Sequence, residues 1–200
     1  MTRSPLVAVY ADESCLGNGR EGSNPGGAGG LIEVVHRRRL VRHDYWLSEP
    51  ATTNNRMALR SAIEALRILS SKGRRCRVVF VSDSQYLVKG NTEWLYGWIK
   101  RGWRRPGGAL ENEALWRELA AVRQGHDVEW RWVRGHKGHP QNEYANHLAT
   151  RAAAEQSQSD GARPSEFENW LARERAAKRM AADPDPFPDP AGFRPAPALR

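Results

Sequence analysis

Two acidic residues each follow a short apolar run, and this placement predicts a pair of carboxylates in one site. Residues 6–11 lead into Asp12, and residues 78–82 lead into Asp83. If both runs are neighbouring parallel strands, the carboxylates share the crevice at the carboxyl ends of the strands, where open α/β sheets bind ligands. We interpret this crevice as the candidate active site.

A crossover helix between the two runs is expected to make them parallel. Residues 56–71 carry apolar side chains at helical spacing, and residues 52–55 supply side-chain oxygens that suit a helix start. A strand at residues 76–82 follows, so the helix returns the chain to a parallel position. Asp83 is therefore expected at the same edge of the sheet as Asp12.

The remaining elements complete an α/β pattern. Glycines in residues 14–27 permit close backbone approach, so a nucleotide-binding protein is an alternative interpretation. That loop lacks the Lys-Ser/Thr ending of a P-loop and the spacing of a dinucleotide site. Further predicted elements are a strand at residues 5–13, a strand pair at 28–35 and 39–47, helices within 84–124, a strand at 126–133 and a closing helix at 142–154.

Composition limits the class of protein. A net charge of +8 and a pI near 10.0 favour a polyanionic partner, because clustered cations release counterions from phosphates, and a merely soluble basic protein is the alternative. Two cysteines without a disulfide or metal spacing favour a reducing cytoplasm. We expect neither secretion nor a membrane span, since no stretch of about 18 apolar residues occurs. A monomer is the default expectation.

Cations alternate with large aromatic side chains in residues 94–105, named the basic segment below. This composition predicts contacts with the phosphates and sugars of a nucleic acid. Trp94 and Trp98 are four residues apart and share one helical face, which is more typical of packing. The predicted nucleic-acid contacts in this segment are Trp94, Lys100, Arg101, Trp103, Arg104 and Arg105.

Two histidines lie in a loop at residues 134–140. His136 and His139 are three residues apart, and the glycines beside them indicate a mobile loop. A zinc site would need further ligands that the sequence does not identify. The pattern therefore favours a catalytic or phosphate-contacting histidine.

The composition changes after residue 154, which predicts a domain at residues 5–154 and an extension at residues 155–200. Within the extension, residues 156–161 read as a linker and residues 165–180 as a charged helix. Residues 183–200 are rich in Pro and Ala, and we expect them to be disordered because they carry little apolar surface.

Several separated motifs, in their order along the chain, resemble type 1 ribonuclease H over about residues 5–154. The resemblance implies a five-stranded mixed sheet flanked by helices. It also implies hydrolysis of the RNA strand of an RNA/DNA hybrid with Mg²⁺, or Mn²⁺, held by clustered carboxylates. The motifs are Asp12-x-Ser14-Cys15-Leu16-Gly17-Asn18, Thr52-Thr53-Asn54-Asn55-Arg56-Met57, Ser82-Asp83-Ser84-Gln85-Tyr86, Trp94 through Trp103, and Gly135-His136-x-Gly138-His139-Pro140-x-Asn142-Glu143.

The acid pattern of this chain departs from that of the family. The family has four acids, of which Asp12 and Asp83 are kept, whereas Ala58 and Asn146 stand at the other two positions. Ala58 offers no oxygen, and Asn146 offers a neutral carbonyl. The resemblance therefore implies metal ligands at Asp12, Asp83 and Asn146.

Glu13 stands where the family usually has Gly. Strand alternation points its side chain away from Asp12, although at the end of a strand it can still reach the metals. We hypothesise that Glu13 partly replaces the carboxylate missing at Ala58, as a catalytic residue and metal ligand. Glu143, which shares a helix face with Asn146, is a weaker substitute.

The resemblance also implies roles for polar residues around the carboxylates. His136 assists protonation of the leaving oxygen or product release, Thr53 holds a phosphate of the DNA strand, and the basic segment grips the DNA backbone. Hydrogen bonds to 2′-hydroxyls distinguish RNA from DNA. A hybrid-binding module that has lost hydrolysis is the alternative to an active nuclease. Contacts along the minor groove of the hybrid are implied for Asn18, Asn54, Asn55, Gln85 and Asn112.

Overall fold

The computed structural model describes residues 4–17, 24–105, 107–135 and 137–199, and its strands form one mixed sheet. The order across the sheet is β5-β4-β1-β2-β3-β6. β1 runs antiparallel to β2 and parallel to β4, which is parallel to β5. The α/β class is confirmed, and a short sixth strand adds to the five expected. The strands are β1 (Leu6–Cys15), β2 (Gly26–His36), β3 (Arg39–Glu49), β4 (Arg77–Ser82), β5 (Asp127–Trp132) and β6 (Arg163–Pro164).

Six α-helices accompany the sheet in the described residues. Thr53 is the N-cap of the first helix and accepts a hydrogen bond from the Arg56 amide, so that helix begins earlier than predicted. A π-helical turn at Gly90–Trp94 separates the second and third helices. The helices are α1 (Asn54–Ser70), α2 (Gln85–Lys89), α3 (Leu95–Lys100), α4 (Glu113–Arg123), α5 (Pro140–Glu155) and α6 (Phe167–Ala176).

Helices α1 and α5 cover opposite faces of the sheet. Val9 and Ala11 of β1 pack in one core with Ala58 of α1, and we name it the α1-side core. Ala8 and Tyr10 pack in the other core with Leu148 of α5, and we name it the α5-side core. Alternate residues of β1 therefore face different helices, as strand geometry requires.

Helix α5 lies unusually close to β2 because the strand carries glycines at the contact. A Cβ atom at Gly27 would lie 2.2 Å from the Ala149 carbonyl oxygen, and one at Gly29 would lie 2.5 Å from the Leu148 Cβ. Those distances are far inside van der Waals contact. The close approach brings the start of α5 to the carboxyl end of β1.

The tail after α6 is ordered against the domain, contrary to the expected disorder. Phe187 and Phe193 pack on the α5-side core, whereas Ala196 and Leu199 pack on the α1-side core. The Ala196 amide donates to the Val128 carbonyl of β5 at 2.8 Å. The prediction from mean composition was wrong, because a few well-spaced apolar residues and a backbone hydrogen bond to an edge strand hold the segment on the domain.

The charged helix predicted at residues 165–180 is present but shorter, as α6. Phe167 and Trp170 bury their side chains in the α5-side core.

No helix in the described ranges combines the length and the apolar content needed to cross a bilayer.

Candidate active site

The register of two parallel strands brings Asp12 and Asp83 together. Ala11 of β1 is the partner of Ser82 of β4, and the two aspartates are the residues that follow this pair along the chain. Asp12 is buried and Asp83 is half-buried. The predicted carboxylate pair at the carboxyl ends of neighbouring strands is therefore present.

Glu13 joins this pair although it starts from the opposite face of β1. Carboxylate oxygens of Asp12, Glu13 and Asp83 all lie within 4.8 Å of one another. The Glu13 amide also donates to Asp12 Oδ1 at 2.7 Å. Asp12 and Glu13 lie just beyond the last pair of β1 with β4, so side chains from both faces of β1 reach the crevice.

The three carboxylates repel one another in a site that is poorly hydrated. Burial, followed by the negative charge of Asp83, raises the pKa of Asp12 from 3.8 to about 8. Burial and the charges of Asp12 and Asp83 raise the pKa of Glu13 well above its ordinary value. A cation placed among the three groups relieves both the repulsion and the loss of hydration.

A glycine lets the loop after β5 pass directly over Asp83. A Cβ atom at Gly135 would lie 2.0 Å from Asp83 Oδ2, so only glycine fits there without a shift. The Trp132 indole N–H donates to the Asp83 carbonyl at 3.0 Å and holds the same loop from its other end. A glycine that closely follows a strand was a usable sequence signal for this approach. His136 belongs to this loop but lies outside the described residues, as does Asn18.

The first turns of α5 contribute polar side chains to the crevice. Asn142 Nδ2 lies 3.4 Å from Asp12 Oδ2. Asn146 follows one helical turn later and shares that face of the helix. Glu143 Oε1 accepts a hydrogen bond from the Gly138 amide at 3.2 Å, so it contacts the loop. Asn142 belongs to the motif at residues 135–143, but the sequence alone predicted no role for it. Its position next to Asp12 follows from where α5 begins.

Comparison with known proteins assigns the family. A sequence model described as RNase H matches residues 4–154. The chain belongs to the RNase H family. The Ribonuclease H of Pelobacter propionicus is 45% identical over 155 residues, which cover 77% of this chain and 88% of the relative. The Ribonuclease HI of Caulobacter vibrioides is 44% identical over 147 residues, which cover 73% of this chain and 91% of the relative.

A solved RNase H structure resembles the whole chain. LC9-RNase H1 is 60% identical with a TM-score of 0.93, over 100% of this chain and 96% of that protein. It is described as a type 1 RNase H with the type 2 active-site motif. The resemblance to type 1 ribonuclease H is thus confirmed, and the protein is an endoribonuclease of this family.

The acidic cluster fits the divalent metal ions on which the RNase H family depends. Carboxylate oxygens are the ligands that hard cations such as Mg²⁺ take, and Asp12, Glu13 and Asp83 offer them from one small region. Burial, followed by the charge of the neighbouring carboxylates, raises the pKa values of Asp12 and Glu13, and a divalent ion bound among these groups would favour their charged forms. Ala58, in contrast, is buried in the α1-side core and has no oxygen to contribute.

The described polar residues that are expected to contact a hybrid lie at or just before the starts of helices. Thr53 is exposed just before α1, and Gln85 is exposed at the first position of α2, two residues after Asp83. Asn54 and Asn55 begin α1 and are half-buried. Asn112 Nδ2 donates to the Tyr86 hydroxyl at 3.3 Å just before α4 begins. Their roles toward nucleic acid stay predictions.

The basic segment presents its cations to solvent. Lys100, Arg101, Arg104 and Arg105 are all exposed. Trp94 is half-buried and packs on Trp98, with ring centroids 5.9 Å apart, as the helical spacing indicated. The ring of Trp103 is half-buried and lies under the guanidinium of Arg117, at 4.6 Å. The exposed charges, more than the tryptophan rings, are placed to contact a partner.

Proposed function

We propose that this protein hydrolyses the RNA strand of RNA/DNA hybrids with Mg²⁺ or Mn²⁺ held by Asp12, Glu13, Asp83 and Asn146. The observation that carries the proposal is the convergence of the first three carboxylates within 4.8 Å. Glu13 thereby supplies the oxygen ligand that Ala58 lacks. Asn146 adds a neutral carbonyl from the face of α5 that points to Asp12.

The residues of the chain divide the work of such a reaction. When bound, the metal ions supply activation of the attacking water and stabilisation of the leaving oxygen. Asp12 and Asp83 fix the ligand geometry from two adjacent strands, while Gly135 brings the loop that carries His136 against them. We assign His136 to protonation of the leaving oxygen or to product release.

Binding of the hybrid is assigned to the surface around the crevice. The exposed cations of the basic segment contact backbone phosphates of the DNA strand, and Thr53 contacts a further phosphate. We assign Trp94 and Trp103 to aromatic contacts with the hybrid. We assign contacts along its minor groove to Asn18, Asn54, Asn55, Gln85 and Asn112. Residues 5–154 form the catalytic domain in this proposal, and residues 155–200 form its extension.

One assay tests the proposed function. The protein is incubated with an end-labelled RNA/DNA hybrid in the presence of Mg²⁺, Mn²⁺ or EDTA, beside an Asp83→Asn variant. We expect metal-dependent cuts confined to the RNA strand, and none in the variant. Retention of the hybrid without any cut would instead establish a binding module that has lost hydrolysis.

A further inference from the structure

An exposed carboxylate of the extension contacts the start of α5. Asp185 Oδ2 lies 2.8 Å from Nε2 of His139, the N-cap residue of that helix. The side-chain amide of Gln141 makes hydrogen bonds with both backbone groups of Asp185, at 3.0 Å to its carbonyl and 3.1 Å from its amide. Gln141 is fully buried. The chain therefore uses a buried side chain to fix the position of one tail residue.

The contact with Asp185 favours one tautomer of the His139 ring. His139 Nδ1 accepts a hydrogen bond from the Asn142 amide, with a nitrogen–nitrogen distance of 3.4 Å. A ring that accepts at Nδ1 carries its proton on Nε2 and donates it to the Asp185 carboxylate. The carboxylate thus selects the tautomer that can cap α5, in the way that an outer carboxylate orients a metal-ligating histidine.

Two residues in the first turn of α5 connect His139 to the active site. Asn142 Nδ2 lies 3.4 Å from Asp12 Oδ2, and Glu143 Oε1 accepts from the Gly138 amide in the loop that crosses Asp83. The two Asn142 contacts are long for hydrogen bonds, as catalytic contacts often are before substrate binds. Asp185, His139, Asn142 and Asp12 form a continuous series of contacts from the extension to the carboxylates.

We propose that Asp185 is a positioning residue of the active site, which acts through His139 on Asn142 and on the contact between Glu143 and Gly138. The inference rests on the proposed function, because it assigns the extension a part in the same reaction. A carboxylate 46 residues after His139 thereby sets where the first turn of α5 lies relative to Asp12. Small misplacements of such groups reduce the rate of chemistry, with little effect on the binding of a long substrate.

The chain offers a matched control for Asp185. Asp183 lies two residues earlier, also precedes a proline, and also makes an ion pair, with Arg175 Nη2 at 2.6 Å. Its partner belongs to α6 and does not contact the site in any described interaction. We expect Asp185→Ala to lower kcat about 10-fold with KM for the hybrid nearly unchanged, as for other residues that orient a ligand. Asp183→Ala should leave kcat unchanged, and Asp185→Asn, which keeps an acceptor oxygen, should retain most of it.

A double-mutant cycle separates positioning from simple anchoring of the tail. Asn caps helices well, so His139→Asn keeps a cap on α5 without the Nε2 contact. If Asp185 acts through His139, adding Asp185→Ala to His139→Asn causes no further loss of kcat. Equal losses of kcat with and without His139 would overturn the proposal, as would an unchanged kcat in Asp185→Ala or an equal loss in Asp183→Ala.

Amide hydrogen exchange provides a readout that does not depend on cleavage. Exchange at Asn142 and Gly138 should accelerate in Asp185→Ala and stay unchanged in Asp183→Ala. Unchanged exchange in Asp185→Ala would overturn the positioning role. A wild-type protein that fails to cut the hybrid in Mg²⁺ would overturn the proposed function, while the exchange experiment would still decide whether Asp185 positions the site.

Discussion

Glu13 and Ala58 lie on the same side of the sheet, although only Glu13 carries a carboxylate. Ala11, two residues before Glu13 on β1, packs in the same core as Ala58 of α1. Alternation therefore starts the Glu13 side chain on the α1 side, and its oxygens still lie within 4.8 Å of those of Asp12 and Asp83. In this chain the third carboxylate therefore comes from β1, at Glu13, whereas in the family pattern it comes from the helix position of Ala58.

Removal of the Glu13 charge tests this substitution. We expect Glu13→Gln to lower Mg²⁺-dependent cleavage about 100-fold, or about 2.7 kcal/mol of barrier, because a charged metal ligand is lost. Glu118→Gln is the matched control, since that carboxylate pairs with Arg67 of α1 at 2.7 Å and has no described contact with the crevice. Kinetics of the two variants should differ strongly. The hypothesis fails if Glu13→Gln cuts at the wild-type rate while Asp12→Asn is inactive.

The stability of the metal-free protein should fall as the pH rises. The pKa of Asp12 is raised to about 8, so the folded protein keeps a proton that the unfolded chain releases near pH 3.8. The stabilisation from this proton is complete below about pH 4 and is lost as the pH rises through about 8. Melting temperatures in EDTA at about pH 5 and pH 9 measure the loss, which should be smaller in Asp12→Asn. Equal losses in both proteins would exclude titration of Asp12 as the cause.

The close contact between Gly135 and Asp83 predicts a sensitive position outside the carboxylates. In Gly135→Ala the new methyl group would lie 2.0 Å from Asp83 Oδ2, so the loop or the carboxylate must move. We expect kcat to fall about 10- to 100-fold, as small displacements at a reacting centre do. Gly192→Ala is the control, because a Cβ there meets nothing within 4 Å. Full activity of Gly135→Ala would show that the loop tolerates the shift.

The salt dependence of hybrid binding should show whether the basic segment contacts the phosphates of the hybrid. Replacing Arg101, Arg104 and Arg105 by Ala should weaken binding and reduce the slope of log K against log salt by up to about 0.9 for each phosphate that is no longer neutralised. The control replaces Arg37, Arg38 and Arg39, at the turn between β2 and β3 and the start of β3, by Ala and removes the same charge. That turn lies at the opposite end of β1 from Asp12. Equal changes in slope would mean that net charge alone, without a specific surface, determines binding.

The sequence was sufficient to predict the Asp12 and Asp83 pair. Apolar runs of strand length, joined by an amphipathic helix, leave few topologies, and a parallel pair puts both strand ends at one edge. Strand alternation could not predict whether the Glu13 carboxylate reaches Asp12 and Asp83. It determines the face from which the side chain starts but not the position of the carboxylate at its end. The site contact of Asn142 depends on how closely α5 approaches β2, which is set by Gly27 and Gly29.

The extension shows the limit of arguments from composition. Average apolar content predicted disorder for residues 183–200, but the individual positions of Phe187 and Phe193 determine whether the segment can pack. Long-range contacts such as the one between Asp185 and His139 leave no local pattern in the sequence. The division of the chain at residue 154 stays a prediction.

The extension also reaches both outer strands of the sheet. β6, within the extension, pairs with β3, and the Ala196 amide donates to Val128 of β5. Unpaired strand edges invite other chains to add to a sheet. Because the extension contacts both sides of the sheet, we expect it to hinder such edge-to-edge association. A shortened protein ending at residue 154 would expose both edges and should self-associate, even with every carboxylate of the active site intact.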